Sequence, residues 1–139
     1  MIRIRSVKDF RPIQHMDHVC FPNDAPYPTA NGALWWIAWV NGEGAGFAGL
    51  KILTGKNKGL AYLCRAGVLP LYRGLGIQRR LINTRVAAAA RLGSKAVISY
   101  TSYENLPSAN NLIKCGFKLY EPAETYGTKH GLYFWRDLK

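Results

Sequence analysis

A turn rich in glycine and arginine joins a short apolar run to a long helical pattern in the middle of the chain. Gly74 and Gly76 carry no side chains, so backbone amides in this turn can approach a ligand closely. The turn leads into a helix N-terminus, where exposed amides and the helix dipole favour phosphate. Arg73, Arg79 and Arg80 surround the turn, which favours a polyanionic ligand over a neutral one. These residues predict a seat for a pyrophosphate group.

Two common phosphate-binding motifs do not fit this turn. A mononucleotide P-loop requires Lys followed by Ser or Thr at the helix start, whereas Gly76 is followed by Ile77 and Gln78. The dinucleotide fingerprint requires a third glycine, and Arg79 occupies its position. Neither of these nucleotide motifs is therefore present.

The turn resembles the coenzyme A signature of the GNAT acetyltransferase superfamily. That signature is R/Q-x-x-G-x-G/A behind a strand that ends in V-x-P, and it is matched by Val68, Pro70, Arg73 and Gly76. Gln78 departs from the signature, because the family has a small residue at that position.

A second segment resembles the same family's pattern N-x-x-A-x-x-L-Y-x-K-x-G-F. Four fixed positions agree in order and spacing: Asn105, Lys114, Gly116 and Phe117. The family's Ala, Leu and Tyr are replaced by Ser108, Asn111 and Leu112. The two segments together span residues 68 to 117.

The resemblance implies that acetyl-coenzyme A is the co-substrate. In the family, the strands that precede the two helices splay apart, and the pantetheine arm lies between them against strand backbone. Those strands correspond to Leu60–Leu69 and Ala96–Thr101, and the side-chain amide of Asn105 would reach the arm from the other side. Asn105 is also placed to cap the following helix, and both roles can coexist. The implied coenzyme-binding residues are Gly67, Val68, Arg73, Gly74, Leu75, Gly76, Ile77, Gln78 and Asn105.

Proton transfer is the step for which the chain offers no clear residue. Many family members use a Tyr as acid at the position of Leu112, and a carboxylate as base on the strand before the motif. The strand Leu60–Leu69 has no Asp, Glu or His, and offers only Tyr62, Cys64 and Arg65. A thiolate is a fair leaving group, and an amine whose pKa is near neutrality can attack without a strong base. Three residues in predicted loops could face the thioester, although each could equally be an ordinary surface residue: Tyr103, Glu104 and His130.

The composition indicates one folded domain over residues 1–139. The chain is 48% hydrophobic, which supports a single core and excludes a disordered class. No apolar run reaches the ~18 residues of a membrane span, and the N-terminus lacks the apolar centre of a signal peptide. We therefore expect a cytoplasmic protein that does not bind a membrane.

Cysteine and histidine usage predicts neither disulfides nor a metal site. Cys20, Cys64 and Cys115 are odd in number and form no C-x-x-C pair. His15 and His18 are three residues apart on a predicted helix, but the further ligands that a metal site needs are missing.

The net charge of +11, from 19 Lys and Arg against 8 Asp and Glu, predicts an acidic partner. Coenzyme A accounts for part of this charge. An acidic acceptor or nucleic acid could account for the rest, although no run of Lys and Arg marks a dedicated nucleic-acid binder.

Hydrophobic periodicity predicts the element order β-α-β-β-β-α-β-α-β-β. This is an α/β (α+β) fold: a single GNAT-like domain with a mixed, mostly antiparallel sheet, helices on both faces and splayed central strands. Leu34–Val40 is apolar on both faces, as expected of a strand covered on two sides. The helix that begins at Ile77 places Arg85 within its apolar arc, where the side chain could snorkel to solvent or contact a ligand, and we favour the first. Phe21–Gly32 is a proline-rich loop that, in the resembled family, helps to wall the acceptor site.

Two classes of function remain from the sequence. The first is an N-acetyltransferase, monomeric or homodimeric, that acts on an amine of a small molecule or protein. The second is a GNAT-like domain that binds coenzyme A or nucleic acid with little or no turnover.

Overall fold

A computed structural model describes residues 1–9, 11–26, 32–127 and 130–138. The structure contains seven strands and three α-helices in these ranges, in the predicted order. They are β1 (Ile2–Val7), α1 (Arg11–Cys20), β2 (Leu34–Val40), β3 (Glu43–Ile52), β4 (Leu60–Val68), α2 (Ile77–Arg91), β5 (Ala96–Ser102), α3 (Leu106–Lys114), β6 (Lys118–Leu119) and β7 (Gly131–Asp137). No helix among the described residues is long and apolar enough to cross a membrane.

The seven strands form one mixed sheet in the order β1-β2-β3-β4-β5-β7-β6. Every neighbouring pair is antiparallel except β4 and β5, which are parallel. The predicted mostly antiparallel sheet is confirmed. The single parallel pair brings the C-terminal ends of β4 and β5 to the same edge, where α2 and α3 begin.

Successive side chains of β2 are buried on opposite faces of the sheet, which shows that helices cover both faces. Trp35 and Ile37 are buried in a cluster with Ile13 and Met16 of α1, whereas Trp36 belongs to the core that includes α2. The tryptophans at positions 35 and 36 are therefore core residues, as β-strand side chains that alternate between two covered faces must be.

The central strands splay, as predicted, because the pairing of β4 with β5 stops early. The paired residues are Leu60 with Ala96, Ala61 with Val97 and Tyr62 with Ile98. Beyond Tyr62, β4 continues to Val68 without a partner on that side. A bulge accompanies the separation, since the register with β3 leaves Gly49 opposite both Cys64 and Arg65.

A buried arginine on α2 holds this bulge in place. Arg85 is 2% exposed, and its Nη1 donates to the carbonyls of Gly49 (3.1 Å) and Cys64 (3.3 Å) while its Nε donates to Leu81 (3.2 Å). Burial lowers the pKa of its guanidinium to about 10, so the group is charged at neutral pH. The prediction that Arg85 snorkels to solvent is wrong, because the bulge carbonyls supply acceptors inside the core.

Candidate functional site

A cleft of about 520 Å³ opens beside the unpaired part of β4. It lies between the glycine turn that precedes α2 and the first turn of α3. Leu75 does not line it and is 53% exposed. The other eight residues predicted to bind coenzyme do line it: Gly67, Val68, Arg73, Gly74, Gly76, Ile77, Gln78 and Asn105. The structure thus brings these eight residues together, and their role in coenzyme binding stays a prediction.

The glycine turn presents a row of backbone amides that have no acceptor. Within the described part of the chain, none of the six amides from Gly74 to Arg79 donates a hydrogen bond. The first amide with an acceptor is that of Arg80, which donates to the carbonyl of Gly76 at 3.2 Å. Gly74 and Gly76 have φ of +84° and +78°, a left-handed conformation that favours glycine. A Cβ at either position would lie more than 4 Å from other protein atoms outside the adjacent residues. This geometry fits a phosphate group approaching the turn.

The three arginines of the turn differ in what they contact. Arg73 donates from Nε to the carbonyl of Val68 at 3.1 Å, so it fixes the last peptide of β4. Arg79 is exposed and lines the cleft, whereas Arg80 is exposed outside it. Arg79 is therefore better placed than Arg80 for an anion inside the cleft.

The end of α1 closes one side of the cleft, a contact that no pattern in the sequence predicts. A Cβ on Gly67 would lie 2.8 Å from Sγ of Cys20, so only glycine allows α1 to approach β4 this closely. Burial raises the pKa of the Cys20 thiol, and the nearby Arg73 partly opposes that shift. Cys20 and Phe21 both line the cleft. The sequence alone does not place these two residues at the cleft, because their position depends on the packing of α1 against β4, which is distant in the chain.

Arg65 anchors the segment that follows α1. Its Nη1 donates to Oδ1 of the buried Asp17 at 2.8 Å, and its guanidinium lies 4.8 Å from the ring centroid of Phe21. A second carboxylate, Asp24, lies 3.9 Å from Arg65 Nη2. Of the loop predicted to wall the acceptor site, residues 27–31 lie outside the described residues.

Asn105 is the N-cap of α3. Its Oδ1 accepts a hydrogen bond from the amide of Ser108 at 3.3 Å, which is the capping role considered for it in the sequence. The side chain also lines the cleft, and its amino group donates to no residue in the described ranges. That donor is available to a ligand.

None of the weak catalytic candidates lies in the cleft. Tyr103, Glu104 and His130 are all exposed, outside its lining. Leu112, at the family's Tyr position, is buried in the core, and Asn111 lines the cleft instead. α3 therefore presents no acidic hydroxyl or carboxyl group to the cleft.

The histidines on α1 are exposed. His15 and His18 lie on the outer surface of the helix. Across the described ranges, no three His, Cys, Asp or Glu side chains come close enough to share an ion.

Comparisons with known proteins agree with this architecture. A family profile described as "Acetyltransferase (GNAT) family" matches residues 7–117. No curated protein is significantly similar in sequence.

Solved acetyltransferase structures share the fold. An IAA acetyltransferase from Bacillus cereus superposes with a TM-score of 0.81 at 17% identity, covering 99% of this chain and 100% of that one. The ribosomal-protein-S18-alanine N-acetyltransferase from Escherichia coli gives 0.78 at 17% identity, covering 99% and 94%. A phosphinothricin acetyltransferase from Sinorhizobium meliloti, solved in complex with AcCoA, gives 0.78 at 20% identity, covering 99% and 88%.

Proposed function

The chain belongs to the GNAT acetyltransferase family, and we propose that it transfers an acetyl group from acetyl-coenzyme A to an amine of a small molecule or protein. The observation that carries the proposal is the row of acceptor-free amides from Gly74 to Arg79, which opens onto a cleft beside an unpaired strand edge. A pyrophosphate attached to a long, narrow arm has the shape and charge that such a site can hold.

The residues divide between the two ends of the coenzyme. The turn amides and Arg79 would bind the pyrophosphate, since charge-assisted bonds to phosphate are strong. The open edge of β4 at Gly67 and Val68 would run along the pantetheine arm, with the amino group of Asn105 donating from the opposite side. Arg73 supports this edge indirectly through its bond to the Val68 carbonyl.

The reaction is a direct acyl transfer. A neutral amine nitrogen attacks the thioester carbonyl carbon, a C–N bond forms and the C–S bond breaks, so that the sulfur leaves with the electron pair. The amine loses one proton and the thiolate gains one, which gives an amide and coenzyme A thiol. No strong base is required when the amine enters uncharged. This suits a cleft in which the described residues of α3 and of β4 beyond Tyr62 supply no carboxylate.

A second candidate is a GNAT-like domain that binds coenzyme A or nucleic acid with little turnover. The burial of Leu112 in place of an acid and the net charge of +11 favour it. The two candidates differ in whether thiol is released from acetyl-coenzyme A when an amine is present.

The test combines binding and turnover. Calorimetric titration with acetyl-coenzyme A at low and high salt should show binding that weakens as salt rises, because phosphate contacts are screened. Thiol release should then be followed across a panel of amines, with DNA and RNA titrated beside the coenzyme. Failure to bind the coenzyme would overturn the proposal, and tight coenzyme or nucleic-acid binding without thiol release from any amine would favour the second candidate.

A further inference from the structure

A second cleft, of about 530 Å³, lies on the sheet face that carries α1. Its floor is formed by Tyr62, Ile98 and Trp135 from three neighbouring strands, and its wall by the segment 120–126 that follows β6. Apolar and aromatic side chains dominate the surface. None of its lining residues belongs to the coenzyme cleft.

The wall of the second cleft is held by specific contacts. The hydroxyl of Tyr126 donates to the carbonyl of Ser99 at 3.1 Å and shares a hydrogen bond with the hydroxyl of Tyr120 at 2.8 Å. The Tyr126 ring packs edge-on against Tyr62, with centroids 5.8 Å apart. At the end of the segment, the Gly127 amide donates to the Tyr133 hydroxyl at 3.1 Å. The cleft is therefore a formed site, because these bonds fix the loop on the sheet.

The second cleft begins where the two central strands separate. Tyr62 and Ile98 form the last pair before β4 and β5 part, and both lie in its floor. Ala66, the first β4 residue of the coenzyme cleft, is four residues further along the same strand, or about 13 Å at ~3.3 Å per residue. The thioester end of a coenzyme arm on the open edge of β4 would point into this interval.

Tyr62 offers a hydroxyl at this junction. Its side chain is half-buried, and its hydroxyl makes no hydrogen bond to any of the described residues, so it is open to water or a ligand. Burial raises the pKa of the Tyr62 phenol, so the group stays protonated and can position an amine without acting as a base.

Charge limits what the second cleft can accept. Among the described residues that line it, Glu124 is the one with a carboxylate; it is paired with Lys56 at 2.8 Å, and both side chains are exposed. The surrounding protein carries a net charge of +11. A polyamine or a lysine-rich peptide would find no unpaired carboxylate in this lining and would be repelled by the overall charge.

We propose that the second cleft is the acceptor pocket, and that it selects a primary amine carried on a flat, apolar aromatic group. This inference rests on the proposed acetyl transfer. The aromatic ring packs against Trp135 and Tyr126, and the neutral nitrogen meets the Tyr62 hydroxyl beside the fork. From there it attacks the thioester carbon, with the same bond changes and proton balance as in the general reaction.

The test uses full-length protein saturated with coenzyme A for binding and with acetyl-coenzyme A for turnover. 2-Phenylethylamine is compared with n-butylamine and spermidine in calorimetric titration and in thiol release. Ala123→Trp fills the second cleft from its exposed wall, and Ala87→Trp, on the exposed side of α2 outside both clefts, is the matched control. We expect Ala123→Trp to lower the affinity and kcat/KM for 2-phenylethylamine at least ~10-fold and to leave coenzyme affinity unchanged. Ala87→Trp should match the parent in all three quantities.

Two failures are distinguishable. The acceptor inference is overturned, while acetyl transfer stands, if spermidine or n-butylamine is acetylated with a kcat/KM equal to that of 2-phenylethylamine and Ala123→Trp changes the kcat/KM of none of these amines. If no amine releases thiol, acetyl transfer is overturned, and calorimetric titration still shows whether 2-phenylethylamine binds in the second cleft. Binding of 2-phenylethylamine that Ala123→Trp abolishes would support aromatic selectivity, and absence of that binding would overturn it.

Discussion

Arg85 of α2 donates a hydrogen bond to the backbone carbonyl of Cys64 in the β4 bulge, at 3.3 Å, from a fully buried position. The same nitrogen reaches the Gly49 carbonyl on β3 at 3.1 Å. The helix whose N-terminus carries the glycine turn is thereby tied to the point where the central strands begin to part. One side chain therefore connects the glycine turn and the separated strand, which form two sides of the first cleft.

The first prediction concerns this link. Arg85→Met keeps much of the side-chain volume but leaves the Gly49 and Cys64 carbonyls without their donor. An unsatisfied buried acceptor costs about 1–3 kcal/mol, so we expect the free energy of unfolding to fall by roughly 2–4 kcal/mol in urea titration. Arg91→Met, exposed near the end of the same helix, should change it by less than about 0.5 kcal/mol. Equal stability of the two variants would show that the bulge does not depend on Arg85.

The sequence predicted local features well. The glycine turn and the start of α2 at Ile77 follow from neighbouring residues, since left-handed glycine and 3.6-residue periodicity are local signals. The same periodicity placed Arg85 in the apolar arc correctly but could not show its partners, which depend on a bulge at residues distant in sequence.

Features built from distant segments were not predictable. The second cleft joins Tyr62, Ile98 and Trp135 with a loop after β6, and no spacing in the sequence marks that combination. On α3, Asn111 lines the cleft while the next residue, Leu112, is buried in the core. A motif match fixes residue order, but which side of the helix packs on the core depends on tertiary contacts.

The second prediction tests the phosphate turn. Gly76→Asn should weaken coenzyme A binding at least ~10-fold, or about 1.4 kcal/mol, because its side chain would occupy space at the amide row. Asn is chosen because it tolerates the left-handed conformation at φ +78°. A β-branched residue would strain the backbone, so that a loss of stability could not be separated from a loss of coenzyme affinity. The measurement is calorimetric titration with coenzyme A.

Gly93→Asn is the matched control for that variant. Gly93 has φ of +88°, no atom within 4 Å of its Cβ position, and lies just beyond the C-terminal end of α2, away from the cleft. Its variant should bind coenzyme A like the parent. If both variants bind normally, the turn does not hold the pyrophosphate.

The third prediction concerns the thiol of Cys20. Its raised pKa means that less thiolate is present at pH 8 than for an ordinary cysteine, so alkylation by iodoacetamide should be slow and should accelerate as pH rises toward 10. Saturating acetyl-coenzyme A, whose acylated sulfur does not consume iodoacetamide, should slow this reaction ~10-fold or more by covering the cleft. Cys64 and Cys115 are buried and provide internal controls in peptide mass spectrometry. Unchanged Cys20 alkylation in the presence of coenzyme would place the ligand elsewhere.

The last prediction separates the two roles of Asn105, which caps α3 and offers an amino group to the cleft. Asn105→Ser keeps a good capping oxygen but removes the amide, whereas Asn105→Ala removes both. We expect Asn105→Ala to lower the free energy of unfolding by about 1 kcal/mol and Asn105→Ser to leave it nearly unchanged, as measured by denaturant titration without ligand. Both variants should lose coenzyme A affinity by about 1–3 kcal/mol, up to ~100-fold, in calorimetric titration, because each lacks the donor to the pantetheine arm. A serine variant that binds coenzyme A as tightly as the parent would show that Asn105 acts only as a helix cap.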